Sequence, residues 1–171
     1  HYVSTGFTGG LETDSFNALR YLASNTSLIN DYKDNLEGAI EHYVSTGFAD
    51  GLGTDSFNAV RYLASNTSLI NDYKDNLEGA IEHYISTGFT GGLGTDSFNA
   101  VRYLASNVDI LEVFGADVDL ATAHYVNNGF GEGRNTNSFN ALRYLASNTG
   151  LINDYKDNLE GAIEHYVSTG F

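Results

Sequence analysis

All five histidines of this chain, His1, His42, His83, His124 and His165, fall 41 residues apart without an insertion. A fixed period in this range means stacked units, each too small to bury its apolar face alone. The chain holds four complete units, 1–41, 42–82, 83–123 and 124–164, and residues 165–171 open a fifth. Units one and two differ only at Thr8/Ala49, Gly9/Asp50, Glu12/Gly53 and Leu19/Val60; unit three is the divergent one. The chain opens on HYVSTGF and closes on LEGAIEHYVSTGF. Both boundaries fall inside one expected helix. The expectation is that chains join end to end, or that this is a segment of a longer array.

Each unit reads as three short helices. The first is DSFNALRYLASN (14–25), with Thr13, Asp14 and Ser15 as N-cap oxygens and Phe16, Leu19, Leu22 and Ala23 on one face. The second is SLINDY (27–32), with Leu28, Ile29 and Tyr32 inward. Its cap position holds Ser27, Ser68, Asp109 and Gly150, all residue types that an N-cap tolerates. The third runs from Leu36 to Thr46, capped at Asn35, Asn76, Asp117 and Asn158. Its apolar stripe is Leu36, Ala39, Ile40, Tyr43 and Val44. Gly47 is expected to stop it in the left-handed conformation, with Phe48 as the hydrophobic clamp of a Schellman-type end. Gly115 reads as a helix-closing glycine in unit three. No stretch alternates like a strand. The fold class is all-α, a solenoid-like tandem array of three short helices per unit.

The stretch FNAVRYLASNVDILEVFGADVDLATAHYVNNGFGEGR (98–134) adds a resemblance. It resembles the tandem helical units of large bacterial secreted and surface proteins, which often stand beside calcium-binding RTX-type repeats. The residues that carry it are Tyr103–Ser106, Gly115, His124–Tyr125, Gly129 and Glu132–Arg134. Units one and two depart from it, because GGLE and DGLG replace GEGR. The resemblance implies an extracellular or cell-surface bacterial setting and no catalytic residues.

Composition narrows the partners. A net charge of −14 argues against nucleic acid, whose phosphates need a Lys/Arg surface, and against an anionic membrane. No run of residues is long and apolar enough for membrane insertion. The absence of Cys removes disulfides and thiolate metal sites. With 12 Tyr and 10 Phe, there is material for a core.

The histidines are poor metal ligands for one another. Equivalent positions in stacked helices lie about 10 Å apart, whereas zinc ligands converge within about 2.2 Å of the ion. They read as packing or hydrogen-bonding groups near a helix end. Asp31 and Asp34 read as caps and solvated charge, since DYKDNLEG does not match an EF-hand loop. Asp50 and Asp55 in ADGLGTD are the one weak calcium site, and calcium stabilisation is kept open on them. The sequons Asn25-Thr26-Ser27 and Asn66-Thr67-Ser68 sit at helix caps, which already explains them. No nucleophile elbow, phosphate loop or dinucleotide fingerprint is present. Near-identical units give every carboxylate similar surroundings, which works against a tuned active site. No enzymatic activity and no cofactor are expected. The expected function is a structural, self-associating extracellular protein: a filament, matrix or surface layer built from copies of itself. The alternative is an adhesin or binding solenoid that takes a glycan or protein ligand.

Overall fold

The computed structural model describes residues 14–171, and His1 and the expected cap Thr13 lie outside them. Among the described residues every regular element is helical. The four repeats supply α1 (Ala18–Ser24), α2 (Ile29–Tyr32), α3 (Leu36–His42), α4 (Ala59–Ser65), α5 (Ile70–Tyr73), α6 (Leu77–His83), α7 (Ala100–Ser106), α8 (Val108–Phe114), α9 (Val118–His124), α10 (Ala141–Ser147), α11 (Ile152–Tyr155) and α12 (Leu159–His165). The all-α tandem array with three short helices per repeat is therefore what the chain forms.

Contacts gather the chain into two interleaved units. One holds the described residues up to Asn58 together with Glu78–Leu93, the other Ala59–Leu77 together with Gly94–Phe171. In the first, α1 packs on α3 of its own repeat and on the turn Tyr84–Gly88 of the next. In the second, α7 packs on α9 and on α12, α4 packs on α9, and α10 packs on α12. α1 and α7 show the same rule: the first helix of a repeat is covered by its own third helix and by the next repeat's third helix or the turn that continues it. Neither partner alone would bury it, which is why the repeat requires a neighbour.

The buried face of the first helix matches the sequence pattern. Tyr21, Leu22, Tyr62, Leu63, Tyr103 and Leu104 are fully buried. Fully burying each such side chain contributes roughly 1.5–3 kcal/mol. Aromatic rings complete the core: Phe16 stacks on Tyr43 at 4.6 Å, Phe98 on Tyr125 at 4.5 Å and Phe139 on Tyr166 at 4.5 Å. The third-helix stripe is less uniform than its period suggests. Ala39 is buried, but Leu36 and Val44 are exposed.

Three boundaries differ from the sequence expectation. The first helix starts at Ala18, and its cap is Asn17, whose Oδ1 accepts from Arg20 N at 3.0 Å, rather than Thr13, Asp14 or Ser15. Asn99 and Asn140 do the same in their repeats. The second helix opens as a 3-10 turn, Thr26–Leu28, so Ser27 lies inside the turn and does not cap it. In unit three the segment is instead continuous α-helix α8, closed by Gly115 at φ 60°.

The third helix ends in a different way from the one expected. It continues past His42 as a π turn, Tyr43–Gly47, with Phe48 N donating to Tyr43 O at 2.9 Å. Gly47 has no positive φ, and Phe48 is helical and 74% exposed, its ring meeting that of Tyr43 edge-on at 6.1 Å, so it is not the clamp of a Schellman end at Gly47. The Schellman end is real but sits four residues on. Gly51 has φ 71°, Gly51 N donates to Phe48 O and Leu52 N donates to Gly47 O, the paired closing bonds of that motif. Gly92 and Gly133 repeat it. Gly47 is glycine for another reason: a Cβ there would collide with the Tyr21 hydroxyl, and the same holds for Gly129 against Tyr103. The asparagine caps of the third helix are as expected, with Asn35 accepting from Gly38 N at 3.0 Å and Asp117 accepting from Leu120 N at 2.9 Å.

Candidate functional site: the seam between repeats

The histidines are placed by the third helix, next to the tyrosine that the first helix buries. Tyr21, Tyr103 and Tyr144 each meet Nδ1 of His42, His124 and His165 at 2.8 Å. A neutral imidazole accepts the phenol proton at Nδ1 and carries its own proton on Nε2. The bond joins the first and third helices of one repeat. Burial pushes the Tyr103 phenol up to about 12, with the nearby Glu132 and Asp109 adding and Arg134 opposing. Tyr21 and Tyr144 are raised by burial too. These groups stay protonated at neutral pH and work as hydrogen-bond donors.

Four side chains, the cap Asn17 and three residues at the first helix and its end, tie each repeat to the next. In the first unit Ser24 Oγ accepts from Ser56 N at 2.9 Å and Phe57 N at 3.3 Å. Asn25 Nδ2 donates to Tyr21 O and to Gly53 O, both at 2.7 Å. Arg20 bridges Asp55 at 2.7 Å and Glu78 at 3.0 Å, and Asn17 Nδ2 donates to the same Glu78 at 2.5 Å. The Asp55 hydrogen bond, then that of Glu78, holds the Arg20 guanidinium above its ordinary value.

The second unit repeats this set. Ser106 accepts from Ser138 N and Phe139 N, Asn107 donates to Tyr103 O and Asn135 O, and Arg102 meets Asn137 and Glu160. Asn99 donates to Glu160 at 2.7 Å. Arg61 pairs with Asp96. The ion pairs are partly exposed, so each contributes only about 0–1 kcal/mol. Buried Asn107 and the serine acceptors matter more, because removing them leaves backbone groups unpaired at about 1–3 kcal/mol.

This seam redefines several sequence candidates. Asp55 is engaged by Arg20, and Asp50 is exposed just before the Schellman glycine. Among the described residues no group of three or more His, Cys, Asp or Glu could hold a metal. Asn25 and Asn66, the sequon asparagines, have their amide nitrogen committed to two backbone carbonyls each. The junction of units three and four carries a local variation. Arg134 reaches Asp109 at 2.8 Å and Glu132 at 2.5 Å, whereas at the junction of units one and two Leu52 and Ser27 stand at the positions of Arg134 and Asp109. The sequence pattern alone did not single out Asn17, Arg20 and Ser24, and it marked Asn25 only as a sequon asparagine at a helix cap. Their signal was present, since all four residue types recur unchanged in every repeat.

Comparison with known proteins gives no match: no family model, curated protein or solved structure matches the chain.

Proposed function

We propose that the chain is a structural, self-associating extracellular repeat protein, which builds a filament, matrix or surface layer by head-to-tail stacking and performs no catalysis. One observation carries the reading. The contact by which one repeat covers the next has two complementary faces, and the described helices present both of them open. On the third-helix side, Val44 of the π turn after α3 is 76% exposed, while its counterparts Ile85 and Val126 are each 2% exposed beneath a preceding first helix. On the first-helix side, Leu142 of α10 is 63% exposed. Arg143 and Glu37, the counterparts of the paired Arg20 and Glu78, are both exposed.

A second copy, or a further repeat of a longer array, finds here the same partners that each repeat finds in its neighbour. The contact is heterologous, and one that does not close on itself grows without limit. The extracellular setting rests on the resemblance of residues 98–134 to bacterial surface repeats. No helix of the described residues is long and apolar enough to cross a membrane. Electron microscopy of concentrated, purified chain tests the assembly. Fibres or sheets of stacked chains are expected, and a field of separate particles with a monodisperse monomer in light scattering refutes it.

A further inference from the structure

Unit three differs from its neighbours where it faces the preceding first helix. Val118, Asp119 and Thr122 stand where Leu77, Glu78 and Ile81, and Leu159, Glu160 and Ile163, stand in the repeats on either side. Each change shortens or trims the side chain. All three residues line one cavity of about 350 Å3, together with Arg61, Asp96 and Phe98, inside the second contact unit. Beside α1 the corresponding Glu78 carboxylate reaches across to Arg20 and Asn17, and beside α7 Glu160 reaches Arg102 and Asn99. Asp119 is one methylene shorter than either glutamate. Thr122 is buried and places a hydroxyl where its neighbours have isoleucine.

We infer that the shortened side chains of unit three open a binding site for a single sugar ring, neutral or amino-substituted. Asp119 and the Arg61–Asp96 ion pair around one space suit adjacent hydroxyls, because each carboxylate carries about four acceptor sites and the guanidinium five N–H donors, more than the one pair takes up. The Thr122 hydroxyl donates to Val118 O at 2.6 Å, which leaves its lone pairs to accept from a ligand. Val118 and Phe98 supply an apolar wall for the C–H face of the ring. The volume sits at the low end of ligand pockets, about 300–1,000 Å3, and so fits one ring rather than a chain. Two aspartates against one arginine disfavour an anionic sugar, and the chain's net charge of −14 acts the same way.

The test is amide chemical-shift titration of the full chain with glucose, galactose, mannose, glucosamine and glucuronate. The comparison is a filled variant, Val118→Leu with Asp119→Glu and Thr122→Ile. That variant rebuilds the residues of the neighbouring repeats, so misfolding does not excuse a negative result. At least one neutral or amino sugar should shift amides of α9 and of Asp96–Phe98 and saturate at millimolar concentration. The filled variant should bind it at least about tenfold more weakly while melting at a higher temperature. The inference is overturned if none of the four neutral and amino sugars shifts these amides, if the filled variant binds as the wild type does, or if glucuronate binds as well as glucose.

Discussion

At the scale of single residues, the Tyr–His bond and the glycine facing it form one device. Tyr103 is fully buried, its hydroxyl meets His124, and Gly129 leaves room for that hydroxyl. Replacing Tyr103 by Phe keeps the ring and leaves His124 Nδ1 without its partner. A loss of about 1–2 kcal/mol in denaturant unfolding is expected. The same residue sets a pH dependence. In the unfolded chain a tyrosine ionises near 10, whereas burial holds Tyr103 protonated to about 12 in the folded chain. Between those values the folded state binds more protons, so stability falls as pH rises. Its contribution is complete below about pH 10 and is lost as pH passes through about 12. Tyr103→Phe should flatten the alkaline limb of stability against pH, and an unchanged slope would remove Tyr103 from this role. Gly129→Ala puts a Cβ against the Tyr103 hydroxyl and should cost about 1–3 kcal/mol by overpacking. A neutral effect in thermal unfolding would show that the close approach is not what keeps this position glycine.

At the scale of elements, the ends of helices separate what the sequence shows from what it hides. Gly133 takes φ 68° in open space, so Gly133→Ala should cost about 1 kcal/mol through backbone strain alone. Comparing its denaturant midpoint with that of Gly129→Ala, and the Tyr103–His124 contact by NMR, separates the two glycines. Only the change at 129 should disturb the tyrosine. Helix type, number and the asparagine caps of the third helix were legible, because apolar spacing and cap chemistry are local properties. The Schellman end was legible as a motif and misplaced by four residues. Gly47 and Gly51 look alike in sequence, and only the position of the Tyr21 ring, a non-local fact, tells them apart. The start at Asn17 was hidden for a related reason: Thr13, Asp14, Ser15 and Asn17 are all competent caps. The seam role of Arg20, Ser24 and Asn25 was hidden because polar side chains on a helix or at its cap show no long-range partner until the partner segment is known.

At the scale of the whole molecule, repetition is the organising feature. The serine, asparagine and arginine contacts recur in both contact units on the same residue types. In the proposed head-to-tail stacking, the contact that one repeat offers the next also operates between chains. Its two faces are marked by Val44 and Leu142. Aspartate at either position puts a charge where burial would otherwise contribute roughly 1.5–3 kcal/mol, and it blocks that one face while leaving the other intact. The most direct test is therefore sedimentation velocity on four samples: wild type, Val44→Asp, Leu142→Asp, and an equimolar mixture of the two variants. Wild type should sediment faster as concentration rises. Each variant alone should stay monomeric, and the mixture should stop at dimers, because only one pair of intact faces remains between two chains. A wild type that stays monomeric at millimolar concentration, or variants that associate as the wild type does, would contradict head-to-tail stacking through these faces.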